Sequence, residues 1–246
     1  MRVGLLVTCL ADLMRPSIGL AALKLLEQAG CEVVVPQTQT CCGQPGYNSG
    51  DRVGAQALAR KLISEFGDCD YVVVPSGSCS GMIKTHYTEL LSEIPSDRTK
   101  AEWLAARTWE LTDFLVNVAG LEKIDARFEG SITYHDSCAG LREMGVKSQP
   151  RALLSKVQGL TIREMGGAEE CCGFGGTFAI KFGDISARLA DLKCDDVKKS
   201  EADAVVLGDL GCMLNIEGRL RRRGDEKTKV LHVAEVLAGM SGEEIE

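Results

Sequence analysis

Short, almost unbroken apolar runs alternate along this chain with longer stretches in which apolar residues recur every three to four positions. Val3-Gly4-Leu5-Leu6-Val7, Cys31-Glu32-Val33-Val34-Val35 (closed by Pro36) and Tyr71-Val72-Val73-Val74 read as strands. So do Ser131-Ile132-Thr133-Tyr134 and Ala204-Val205-Val206-Leu207. The near-uniform apolarity of the third and fifth runs suits parallel strands covered on both faces. Residues 18–28 predict a helix with Leu20, Leu23, Leu25 and Leu26 on one side and Gly30 as its stop. Further helices are expected at 53–66 and 185–200, with closing helices around 103–118 and 232–240. Residues 122–130 are the expected join. The pattern predicts an α/β protein of two pseudo-symmetric Rossmann-like halves, 1–121 and 122–246, each with a mainly parallel sheet flanked by helices.

The cysteines repeat with the same period. The first half runs Cys9, then Cys41-Cys42-Gly43, then Cys79; the second runs Cys138, Cys171-Cys172-Gly173, Cys212. The spacers are 31 and 36 residues in the first half, 32 and 39 in the second. Each of these cysteines falls just beyond a predicted strand or in the loop after one. In parallel sheets, ligand sites form at that edge, so four thiols per half are expected to meet there. Soft thiolates select zinc, copper(I) or iron–sulfur clusters. The long spacers differ from the compact Cys-x-x-Cys pairs of local zinc ribbons. Four thiolates suffice for a [4Fe–4S] cluster in each half. Cys31, Cys69 and Cys194 lie outside the pattern and read as small buried hydrophobes.

Charge and length narrow the function classes. A net charge of −7 argues against nucleic acid as a partner. No apolar run is long enough to span a bilayer, and residues 1–7 read as a buried strand rather than a signal peptide. A cytoplasmic location is expected, where thiols stay reduced and serve as metal ligands or catalytic groups. Arg219, Arg221, Arg222 and Arg223 read as a solvated helix end, with docking to an acidic partner as the alternative. Gly173-Phe174-Gly175-Gly176 is a poor nucleotide-binding loop, and no P-loop or hydrolase elbow occurs.

The two blocks resemble the duplicated cysteine-rich (CCG) domain of the heterodisulfide reductases and of the iron–sulfur subunits of glycolate and glycerol-3-phosphate oxidation. The first half carries the likeness in Thr38-Gln39-Thr40-Cys41-Cys42-Gly43-Gln44-Pro45, Tyr47-Asn48-Ser49-Gly50 and Pro75-Ser76-Gly77-Ser78-Cys79. The second carries it in Tyr134-His135-Asp136-Ser137-Cys138 and Glu170-Cys171-Cys172-Gly173-Phe174-Gly175-Gly176-Thr177-Phe178. The resemblance covers essentially the whole chain. It implies a component of a multi-subunit complex that oxidises L-lactate to pyruvate and passes electrons through iron–sulfur centres, with other subunits of that complex as partners. The family pattern closes in Cys-x-x-Cys, but here Ser76 and Asp209 replace the first member of that pair. Each is either an auxiliary ligand or a loop cap. His135 is either a ligand or proton carrier, or an ordinary hydrogen-bonded loop residue, the last being slightly favoured. His86 and His232 read as structural or surface residues. Two alternative functions stand beside electron transfer: a thiol–disulfide reductase, and a scaffold holding structural zinc at one site, the first being the better candidate.

Overall fold

Parallel strands need helical crossovers, and the chain supplies them twice in the same order. In the computed structural model, which describes residues 1–241, β1 (Arg2–Leu5), β2 (Glu32–Val34), β3 (Tyr71–Val74) and β4 (Thr108–Glu110) form one sheet in the order β2-β1-β3-β4. β5 (Arg127–His135), β6 (Gln158–Ile162), β7 (Ala204–Leu207) and β8 (Lys229–His232) form the other in the order β6-β5-β7-β8. Every pairing is parallel. The halves superpose in register. Leu5 pairs with Val73 where Tyr134 pairs with Val206, so Leu6 corresponds to His135 and Cys9 to Cys138. The carboxylates entering the third strands also match: Asp70 accepts from the Arg2 amide at 2.8 Å, and Asp203 from the Ser131 amide at 2.7 Å.

Several expected boundaries are corrected. Residues 103–118 are not one helix. The helix Pro95–Arg107 stops where the Thr108 hydroxyl donates back to the Leu104 carbonyl, β4 follows, and a second helix spans Leu111–Asn117. The closing segment divides the same way into β8 and a helix over Val233–Leu237. In both places a three- or four-residue edge strand is too short to leave a period in the sequence. β6 was not anticipated either, because this edge strand is largely exposed and carries Gly159 and Thr161. Part of the expected join, residues 127–130, belongs to β5. The arginine run is not simply solvated. Arg219 grips Asp191 through two bonds of 2.8 and 2.6 Å, and Arg223 pairs with Asp195, binding the helix Leu210–Arg222 to the helix Gly183–Lys199.

The halves interlock. The closing helix Val233–Leu237 packs on the first-half helix Ser17–Gln28, where Glu235 accepts from Arg15 at 2.7 Å and Ser17 at 2.6 Å. Reciprocally, Leu111–Asn117 meets Ser148–Leu154, and Gln149 donates to Asp113 at 2.9 Å. A single apolar cluster therefore joins Val3, Leu25 and Phe114 to Ile132, Leu153 and Val233. At the centre the backbone of Gly77 approaches that of Gly140 so closely that a Cβ on Gly77 would lie 2.7 Å from the Gly140 Cα. Gly77→Ala should therefore cost about 1–3 kcal/mol, read as a lower urea midpoint at unchanged slope. An unchanged midpoint would show that the halves are not packed this closely.

Candidate thiol sites

The carboxyl ends of three adjacent strands build each site. Cys9 opens a helix (Cys9–Met14) just after β1, Cys41 and Cys42 lie in the loop after β2, and Cys79 sits in the short helix Gly77–Gly81 after β3. The second half repeats this with Cys138 after β5, Cys171 and Cys172 after β6, and Cys212 in Leu210–Arg222 after β7. All eight patterned cysteines are thus brought into two groups of four. In the first, Cys42 and Cys79 have their sulfurs 3.3 Å apart, and the Cys41 thiol touches both Cys9 and Cys42. In the second, Cys171 touches Cys138 and Cys172, which in turn meets Cys212. Cys31, Cys69 and Cys194 are buried elsewhere, and burial pushes their thiols up.

The glycine after each doublet has a geometric cause. Gly43 and Gly173 have φ of 85° and 88°, a region costly for residues with a Cβ. This turn aims the Gly43 amide at the Cys41 sulfur at 3.4 Å and the Gly173 amide at the Cys171 sulfur at 3.3 Å. The doublet is anchored from behind by different means. Tyr87 donates to the Cys42 carbonyl at 2.7 Å, and Asn215 to the Cys172 carbonyl at 2.8 Å. Thr8, before Cys9, holds a strained φ of 70°.

One thiol in each group ionises first. Hydrogen bonds from Cys42 and Cys9 pull Cys41 down to about 2, and contacts with Cys138 and Cys172 pull Cys171 down to about 2. Their neighbours move the opposite way: contact with Cys41 raises Cys9 and Cys42, and contact with Cys171 raises Cys138 and Cys172. Both directions follow from one shared contact: hydrogen bonds from the neighbouring thiols favour the thiolate that accepts them and the protonated form of the thiols that donate. Converging thiols, the most acidic of them approached by a backbone N–H, form a soft-metal donor set that suits four-thiolate ligation.

Ser76 and Asp209 separate in role. Ser76 caps its helix through the Cys79 amide at 3.4 Å, as a loop cap should. Asp209 does not cap its own helix: it crosses between halves to accept from the Ser78 amide at 2.8 Å and the Ser76 hydroxyl at 3.3 Å. Burial raises its carboxyl above the usual range. His135 is not the hydrogen-bonded loop residue the sequence favoured. It ends β5, is 1% exposed, and neither ring nitrogen makes a hydrogen bond of regular geometry among the described residues, the Ala168 carbonyl being the one nearby acceptor. Burial and then Lys193 push it down to about 3, so its ring is neutral. His86 is partly exposed beside Glu143, and His232 is buried as a helix cap.

Lys193 escaped the sequence reading. It is 1% exposed, donates to the Gly167 carbonyl, and burial pushes its ammonium down, opposed by nearby Asp196 and Cys172. Aligning the halves would have exposed it. A Cβ on Gly43 would meet Ala55 and Leu58 where one on Gly173 would meet Ser186 and Leu189. That correspondence puts Lys193 at the place of buried Leu62.

The family described as "Cysteine-rich domain" (CCG) matches residues 3–84 and 132–217. The chain is 46% identical over 237 residues to lactate utilization protein A of Geobacillus kaustophilus (strain HTA426), covering 96% of this chain and 98% of that protein. It is likewise 46% identical to lactate utilization protein A of Bacillus subtilis (strain 168), covering 96% and 99%. The crystal structure of a hypothetical protein from Helicobacter pylori shares the fold at TM-score 0.69 and 12% identity, covering 99% of this chain and 49% of that one.

Proposed function

The chain belongs to the duplicated cysteine-rich (CCG) domain family, and from that premise we propose that it is the iron–sulfur electron-transfer subunit of a complex oxidising L-lactate to pyruvate. The observation that carries this reading is the meeting of four thiols per half at the strand ends. Cys9, Cys41, Cys42 and Cys79 would hold one [4Fe–4S] cluster, and Cys138, Cys171, Cys172 and Cys212 the other. When bound, each cluster would take up and release one electron. The chain's own contribution is electrostatic: the Gly43 and Gly173 amides and buried Lys193 offset thiolate charge and thereby set the potential. Cys138 and Cys171 are exposed, which gives electrons a short path to a partner subunit. The relatives' shared name supports a place among several proteins of lactate utilization, and we propose the cytoplasm, where thiols stay reduced, as its location. We place the boundary between halves at residues 121 and 122. Among the described residues, no helix is long and apolar enough to cross a membrane.

A second reading, structural zinc at the first site, is favoured by the 3.3 Å separation of Cys42 and Cys79. A tetrahedral ion with Zn–S bonds of about 2.3 Å spaces its sulfurs by roughly 3.8 Å. Protein purified without oxygen should contain iron and acid-labile sulfide, and Cys41→Ser and Cys171→Ser should each remove about half of both. Folded protein with neither would sink the cluster reading, and zinc lost only in Cys41→Ser would establish the second. Lactate-dependent reduction in the presence of the partner subunits is expected. Oxidation of the reduced centres by a disulfide instead would indicate a thiol–disulfide reductase.

A further inference from the structure

The two sites share a backbone but not a lining. Where the first half places Leu6, fully buried in the apolar cluster with Cys42, the second places His135. Where the first has Leu62, the second has Lys193, and Ser76 gives way to Asp209. Three substitutions at corresponding positions make the second site the polar one. The imidazole is the most demanding of them. The Ala168 carbonyl is the one acceptor near its N–H, and the other nitrogen's buried lone pair has no donor among the described residues, which is unfavourable unless something in the site takes it. A ring nitrogen of His135 and the sulfurs of Cys172 and Cys212 lie within 4.8 Å of one another. Thiolate and imidazole both suit zinc, cobalt(II) or iron.

We propose that His135 is a ligand of the metal centre in the second half, so that this centre is bound by thiolates and imidazole whereas the first is bound by thiolates alone. The inference rests on the proposed metal-binding role of the cysteines: the imidazole joins buried Cys172 and Cys212 in place of one of the two exposed thiols, Cys138 or Cys171, so the donor count stays at four for a cluster or a single ion. Binding would use the lone pair of one ring nitrogen, leaving the other nitrogen to carry the N–H.

The test uses the full chain with the first site silenced by Cys41→Ser and Cys42→Ser, loaded anaerobically with cobalt(II) alone. NMR should show one strongly shifted, exchangeable imidazole N–H, from the ring nitrogen that does not bind. His135→Leu, which copies the first half's Leu6, should abolish that resonance while sulfur-to-cobalt charge transfer persists. If that variant fails to fold, His135→Cys should lose the resonance and gain charge-transfer intensity. The proposal is overturned if cobalt binds without a shifted imidazole, if the resonance survives in His135→Leu or His135→Cys, or if the second site binds no cobalt. Iron and sulfide assays on the unaltered protein separate this from the functional reading. Absence of both with the imidazole signal intact sinks only the cluster, and a cluster with no imidazole signal sinks only the ligand assignment.

Discussion

Glu235→Ala should lower the unfolding free energy by about 3–5 kcal/mol, the loss expected on removing one partner of a buried ion pair. Glu235 is 1% exposed and accepts from the Arg15 guanidinium at 2.7 Å, the Ser17 hydroxyl at 2.6 Å and the His232 amide at 3.0 Å. Its removal strands three donors on the seam between first and second halves. Arg15 keeps 26% of its side chain in contact with solvent and can partly rehydrate, which places the loss toward the lower end of the range. The exposed pair Arg52–Glu89 provides the control, since its side chains are 47% and 61% exposed. Glu89→Ala should cost no more than about 1 kcal/mol. Urea denaturation of both variants decides the matter. A loss at Glu235 no larger than at Glu89 would mean that this buried seam contributes little to holding the halves together.

Glu110→Gln should stabilise the protein at pH 8 by about 3 kcal/mol and leave it unchanged near pH 4. Burial raises the Glu110 carboxyl from 4.5 to about 7, although Thr112 and Asp113 donate to it. One pKa unit corresponds to about 1.4 kcal/mol. Because the folded value lies above the unfolded one, the folded chain holds the extra proton between those two values. The stabilisation is complete below pH 4.5 and is lost as pH rises through 7. Glutamine keeps the acceptor oxygen for both amides and carries no charge to desolvate. His232 acts with the opposite sign: burial lowers it to about 4, so its stabilisation is present above 6.5 and lost as pH falls through 4. The two contributions overlap between pH 4.5 and 6.5. The variant should therefore be compared with the unaltered chain at each pH, and a difference that does not grow with pH would show that Glu110 is ionised without penalty.

The repeated doublet and its glycine announced the sites because their cause is local. A positive φ at Gly43 or Gly173 demands glycine, and two adjacent thiols must follow the strand end. Buried central strands were equally legible, since β3 and β7 have apolar residues on both faces. β4, β6 and β8 were not. β6 is a largely exposed edge strand, while β4 and β8 are buried but too short to leave a period, and Thr108-Trp109-Glu110 fits a helix pattern until its pairing with β3 is known.

What the sequence determined on its own was which side chains would meet: eight thiols in two matched sets, each behind a parallel strand. What only the tertiary structure decided was how those sets differ and how they are joined. Corresponding positions such as Leu6 and His135, or Leu62 and Lys193, become comparable only through strand register and glycine packing. Asp209 reaches the helix that carries Cys79 only because the two sheet edges face each other, and Arg15 meets Glu235 across 220 positions of chain. Backbone conformation is set by near neighbours and leaves a mark on composition, whereas a buried polar side chain takes its role from partners that chain closure alone brings to it.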